Sequence, residues 1–232
     1  IAQAAVVSQS VTPGSHASQR IAAIMLEIFV SAKKIIEAQQ EELGRLDAVA
    51  GDGDHGIGML RGVSAALDAA QGAHDAQAGA GTLLTLAGEA WVARAGGTSG
   101  ALWGVMLSTL GHELGDTDAP DLTMVASGVA AALREVVQCG KAQLGDKTIV
   151  DVLQPFSAKL DQATARGVSV ATAWQDAADI ANTAAQRTQD LLPRIGRARP
   201  HAEKSIGTPD PGAISLAMMI TAAGEVIRRH CV

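Results

Sequence analysis

Tyrosine is missing altogether from these 232 residues, which hold only two phenylalanines and three tryptophans. So few rings leave little on which single-stranded bases could stack. A net charge of −6 and a pI near 5.5 leave no basic stripe for a phosphate backbone. Both observations count against nucleic acid. Cysteine is scarce too: Cys139 and Cys231 stand far apart without metal-ligand spacing, so a reducing cytoplasm is the simplest setting. No apolar run reaches the roughly 18 residues that a membrane span requires. Nor is there a convincing run of alternating β-branched residues, which removes the signal for a sheet. What remains is a chain 47% hydrophobic but only 2% aromatic, whose core must come from Ala, Leu, Val and Ile. Its length suits one largish domain or two small ones.

Residues 1–17 carry Pro13-Gly14 and no sustained periodicity, and lack the basic start and apolar block of a signal peptide. They read as a linker or arm, expected to be the tail of a connection from a sugar-binding domain, because Ile1 is not a natural start. From 18 onward the pattern turns helical. Ile21, Ile24, Met25, Ile28, Phe29, Ala32, Ile35 and Ile36 recur at three- and four-residue steps, with Ser18 as a possible N-cap. Helices are expected over 18–46, 59–71, 82–94, from the 95–104 turn to 114, 123–139, 149–166 with a kink at Pro155, 170–192 and 213–229. The longest irregular stretch, 193–212, is rich in Arg, Gly and Pro.

The densest chemistry lies at 46–61, LDAVAGDGDHGIGMLR, with Asp47, Asp52, Asp54 and His55 among Gly51, Gly53, Gly56 and Gly58. Each glycine inside a helix loses about 1 kcal/mol relative to alanine, so the segment is expected to be a tight loop. An unbroken helix would set Asp52 about 140° away from Asp47 and Asp54; a break lets the three converge. Crowded carboxylates repel one another unless a cation sits among them, and all-oxygen ligation suits Mg²⁺. A solvated acidic turn is the plainer reading of a lone Asp-Gly-Asp. The third aspartate and the histidine favour a metal site. An EF-hand fails, since no glutamate stands twelfth from Asp47 or Asp52.

In an antiparallel bundle, loops at alternate junctions share one end. The 1–2, 3–4, 5–6 and 7–8 junctions are the aspartate stretch, AGGTSG (95–100), GKAQLGDKT (140–148) and the Arg/Asp-Pro-Gly segment. All four are therefore expected on one face. Thr98 and Ser99 sit where a helix N-terminus favours a phosphate, although an ordinary Ser/Thr cap would look the same. GKAQLGDKT resembles a P-loop, but Asp146 intervenes before Lys147 and a helix rather than a strand precedes it, so that reading is rejected. Arg197 and Arg199 suit an anion or simply a soluble loop. His16, His74, His112, His201 and His230 read as surface residues.

LDAVAGDGDHGIGMLRG, GGTSGALWG, GDKTIVDVLQP and GRARPHAEKSIGTPDPGAIS, in that order, resemble the nucleotide-binding domain of the dihydroxyacetone kinases. The likeness spans about 18–230. It implies an all-α fold, an eight-helix antiparallel up-and-down barrel with a nucleotide site at one end. By motif position, Asp47, Asp52 and Asp54 would hold one or two Mg²⁺. ATP or ADP would meet His55, Gly56, Ile57, Gly58, Thr98, Ser99, Gly140, Ile149, Arg197, Asp210, Pro211 and Gly212. Two positions depart from separate-subunit relatives, which tend to carry Asn at Gly58 and Met at Ile149. The implied partner is a sugar-binding kinase domain or subunit that holds the ketose, dihydroxyacetone or erythrulose, and forms a homodimer. No catalytic base for the sugar is apparent in this chain. The alternatives are a phosphotransferase-system-dependent subunit with ADP as bound coenzyme, a non-catalytic nucleotide or lipid carrier, and a helical scaffold.

Overall fold

A computed structural model describes residues 11–230. Residues 1–10, most of the expected linker, and Cys231 lie outside the described residues. Among those described there are eight α-helices, α1 (His16–Ala48), α2 (His55–Asp75), α3 (Ala80–Ala95), α4 (Gly97–Leu114), α5 (Leu122–Gly140), α6 (Val150–Thr164), α7 (Val170–Arg187) and α8 (Pro211–His230), and no strand. Each helix packs on its neighbours in sequence, and α8 returns to pack on α1, closing the ring. The all-α barrel expected from the sequence is the fold observed.

Alanine makes the closure possible. Ala22, Ala32, Ala66, Ala70, Ala177, Ala181 and Ala217 are buried, and side chains this small let helix axes approach while Ile36, Leu43, Leu83, Phe156 and Leu160 fill the interior. Helix α5 is long and apolar enough by composition alone to cross a membrane. It packs between α4 and α6 in the ring, as a core helix of a globular domain does.

Helix ends shift by a few residues from the sequence reading, and three of the shifts matter to the packing. Helix α1 starts at His16, capped by Ser15, whose hydroxyl accepts from the Ser18 amide at 3.1 Å. Ser18 itself is buried and instead accepts from the Ala80 amide at 2.8 Å, tying α1 to the start of α3. Residues 14 and 15 are docked: the Gly14 amide donates to Gln77 at 3.0 Å and the Ser15 amide to Asp116 at 2.9 Å. The start of α1 therefore lies at the end of the barrel that carries the 2–3 and 4–5 junctions. Helix α2 starts at His55 instead of Met59, and α7 ends at Arg187, followed by a short 3-10 turn, Thr188–Asp190. Helix α6 runs on through Pro155, whose missing N–H leaves the Asp151 carbonyl without its helical donor.

Candidate functional site

At the other end, the C-termini of α1, α3, α5 and α7 meet the N-termini of α2, α4, α6 and α8. The four junctions between them enclose a cavity of about 500 Å³. The aspartate stretch, the 96–100 turn, the 140–150 junction and the 193–212 segment all contribute to its wall. The four motif loops thus share one end of the barrel, as alternate junctions of an antiparallel ring must.

Asp47 lies in the last turn of α1, Asp52 in the bend that follows, and Asp54 at the N-cap of α2. One carboxylate oxygen from each lies within 4.8 Å of the others. The bend depends on glycine twice. A Cβ at Gly51 would come within 2.3 Å of the Asp47 carboxylate, and Gly53 has φ +80°, which L side chains rarely adopt. Asp54 occupies the cap position without capping, so its carboxylate is left free. Asp47 accepts from the His55 amide at 3.3 Å, which fixes it against the start of α2. The arrangement fits a hard divalent cation: three oxygen donors, partly exposed, converging without bonds to one another. In this structure the exposed Arg197 guanidinium pairs with Asp52.

His55 opens α2, and its Nε2 lies 2.9 Å from the Ser215 hydroxyl, which donates to the Gly212 carbonyl at 3.0 Å. The contact joins the first turn of α2 to the first turn of α8. Burial holds the His55 imidazole below its usual pKa, against the Asp47 carboxylate and a bond to the Pro211 carbonyl, which both raise it. Ile57 and Gly58 line the cavity. Gly56 does not. It faces α1, where a Cβ would sit 2.0 Å from the Gln40 carbonyl oxygen, so it serves the packing of two helices. The expectation that 56–58 form loop is likewise corrected. Both glycines lie inside α2, the helix accepting their propensity cost where α1 comes close.

Thr98 and Ser99 lie in the first turn of α4, behind Gly96 (φ 65°) and Gly97 (φ 63°). Among the described residues the amides of Gly97, Thr98 and Ser99 have no acceptor, while Gly100 bonds back to Gly96 at 3.2 Å. Free donors at a helix N-terminus, reinforced by its dipole, suit an anion. Gly140, Ile149, Arg197, Asp210, Pro211 and Gly212 line the same cavity. Arg199 is not in its wall. Asp210 caps α8, accepting from the Ala213 amide at 2.8 Å. Withdrawal from water pushes its carboxyl up to about 7; the Ala213 bond and Lys147 oppose this, and Asp151 and Asp47 add to it.

Two features of the wall were not read from the sequence. Trp91 and Trp103 stack with centroids 4.8 Å apart and planes 18° from parallel, and both line the cavity where it meets the core. Their only signal was position, one tryptophan shortly before and one shortly after the glycine turn. The second feature is Lys147, 5% exposed, which in the sequence figures only as the lysine of the rejected P-loop pattern. The signal available was its place at the 5–6 junction, on the face where the other motifs gather.

A closed ring of antiparallel helices with an oxygen-ligand cluster and open helix N-termini at one mouth defines a helical domain that sets cation-attracting and anion-attracting groups side by side. The chain belongs to the DAK2 domain family, which it matches over residues 49–225. It is 53% identical over 223 residues to the L-erythrulose kinase of Pectobacterium atrosepticum, covering 96% of this chain and 38% of that protein. It is 48% identical over 206 residues to the D-erythrulose kinase of Mycolicibacterium smegmatis, covering 89% and 36%. The chain thus spans under two fifths of these relatives' length. Against the ADP-binding subunit DhaL of the PEP-dependent dihydroxyacetone kinase of Escherichia coli the identity is 33%, covering 80% of this chain and 88% of that subunit. Among solved structures, the dihydroxyacetone kinase of C. freundii in complex with AMP-PNP and Mg²⁺ is similar, with a TM-score of 0.63 and 26% identity over 97% of this chain and 36% of that one.

Proposed function

We propose that this chain is the Mg-nucleotide-binding domain of a ketose kinase, supplying the phosphoryl donor to a sugar hydroxyl held by another domain. The observation that carries the reading is the convergence of Asp47, Asp52 and Asp54 with the open N-terminus of α4 on one cavity. Mg²⁺ held by the three carboxylates would neutralise charge on the transferring phosphoryl group, the main requirement of this chemistry. Their oxygens suffice for one or two ions. The amides of Thr98 and Ser99 would receive phosphate oxygens, and Arg197 would turn from Asp52 to the phosphates. Ile149, His55, Ile57 and Gly58, with Gly140, Asp210, Pro211 and Gly212, would form the remaining wall around the nucleotide.

The higher identity to erythrulose kinases, each much longer than this chain, than to the separate DhaL subunit supports a domain of a longer, ATP-using kinase. On this reading the ketose is erythrulose or dihydroxyacetone, its site belongs to a sugar-binding partner domain through which the enzyme forms a homodimer, and the setting is cytoplasmic. Calorimetric titration tests the donor half. The wild-type chain should bind ADP with Mg²⁺ and lose that binding in EDTA. Asp52→Asn should lose at least about tenfold in affinity, or about 1.4 kcal/mol, with its helical circular dichroism unchanged. Undiminished Mg-ADP binding by Asp52→Asn would remove the metal assignment.

A further inference from the structure

The 188–210 segment leaves the barrel after α7 and returns to start α8, carrying Arg197 at its far end. Its base is joined by the Gly207 amide donating to Gln189 at 2.9 Å. One step further out, a single side chain from a different junction fills the neck. Lys147 Nζ donates to the Ser205 carbonyl at 2.6 Å, the Ser205 hydroxyl at 3.1 Å and the Leu191 carbonyl at 3.1 Å. An ammonium carries three protons, and these contacts use all of them. Asp190 and Asp210 flank the charge. Burying an ammonium is costly unless it is bonded; here every proton has an acceptor, while desolvation outweighs the flanking carboxylates and holds the group below the usual lysine pKa. Lys147 also takes φ 61°, unusual for a residue with a side chain, which marks the position as held by its surroundings. Its neighbour adds a further tie, the Asp146 carbonyl accepting from the Arg194 amide at 3.3 Å.

We propose that Lys147 is a positioning residue. Its ammonium locks the neck of the 188–210 loop and so holds Arg197 over the cavity that receives the nucleotide phosphates. The ligand half of the assignment rests on the nucleotide reading; the lock itself does not. Lys147 has no need to touch nucleotide on this account, because it acts through Leu191 and Ser205.

The test combines hydrogen exchange with a double-mutant cycle on the chain as it stands. Lys147→Met keeps the length and removes charge and donors. Amides of 191–207 should then exchange at least about tenfold faster, while those of α3 stay protected. Mg-ADP affinity should fall about five- to twentyfold. Arg197→Ala should fall by a similar factor, and the double variant should bind no worse than Arg197→Ala alone, the signature of two residues acting as one unit. Unchanged exchange in 191–207 overturns the lock. Additive losses in the double variant overturn the positioning role, since Lys147 would then act on the ligand itself, and so does an Arg197→Ala variant that binds like wild type. Should Lys147→Met fail to fold, Ser205→Ala removes one of the three acceptors: a smaller acceleration confined to 191–207 supports the lock, and none refutes it. A wild-type chain that does not bind Mg-ADP would refute the nucleotide reading, and with it the positioning role, while exchange still decides the lock.

Discussion

Gly56 and Gly58 are two residues apart in the same helical turn, yet alanine should act on them in opposite directions. At Gly56 the new methyl would stand 2.0 Å from the Gln40 carbonyl oxygen and 2.9 Å from its carbon, both backbone atoms of α1. Ordinary contact lies near 3.5 Å, so α1 and α2 would have to part by roughly 1.5 Å. Overpacking of this kind costs about 1–3 kcal/mol, and backbone against backbone belongs at the upper end. The helix gains back at most about 1 kcal/mol from losing a glycine. The net is a loss of about 2 kcal/mol, or a fall of roughly 4–8 °C in melting temperature for a chain of this size. At Gly58 the nearest atom is the Ala95 carbonyl oxygen at 3.8 Å, an ordinary contact. Only the propensity gain remains there, and the melting point should rise by up to roughly 2–4 °C. Thermal unfolding followed by circular dichroism in EDTA reads both without interference from bound metal. A Gly56→Ala variant as stable as wild type, or a Gly58→Ala variant equally damaged, would refute the account of why glycine stands at 56.

The other two predictions concern protons and the missing acceptor. Asp210 holds its proton to about pH 7 in the fold, against 3.8 for the unperturbed group, so stability falls as pH rises between those values. Asp210→Asn should flatten that fall and, in EDTA, melt above wild type at pH 8, with the difference shrinking through pH 5 and gone only as the pH reaches 3.8; a wild type that melts higher at pH 8 would contradict it. The isolated chain, given ATP, Mg²⁺ and dihydroxyacetone or erythrulose, should produce no sugar phosphate, and appreciable product would place an acceptor site within these residues.

Much of this architecture was legible because it rests on local signals. Helical periodicity and glycine punctuation gave eight helices, and alternate junctions of an antiparallel ring must share an end, so the four motif loops had to gather. What escaped were properties of contact. Gly56 argued for a loop on propensity alone, and only the approach of Gln40 explains a glycine inside α2. Ser18 looked like a cap because serine before an apolar repeat usually is one, whereas here Ser15 caps and Ser18 reaches another helix. Trp91 and Trp103 follow ordinary core spacing, and nothing in one dimension says that two rings will stack across α3 and α4. Lys147 is the clearest case, since a lysine among Gly, Asp and Thr reads as solvent-facing until the partners that bury it are known.

The same topology explains why one end of the barrel is electrically divided. In an up-and-down ring, all even-numbered helices begin at the same end, so α2, α4, α6 and α8 direct their positive termini toward the cavity. Asp47, Asp52 and Asp54 stand beside those termini, and among the described residues the exposed Arg197 is the one basic side chain paired with them. An exposed pair of this sort contributes about 0–1 kcal/mol, too little to hold the arginine against a competing ion. A cation alone would satisfy the aspartates but leave the free amides of Gly97, Thr98 and Ser99 unmet, and an anion alone would meet those amides while facing three carboxylates. Each half of the mouth is therefore completed by a ligand that the other half repels. A cation and a phosphate bound together would satisfy both halves, and release of Arg197 from Asp52 would add a second positive group to the phosphate side.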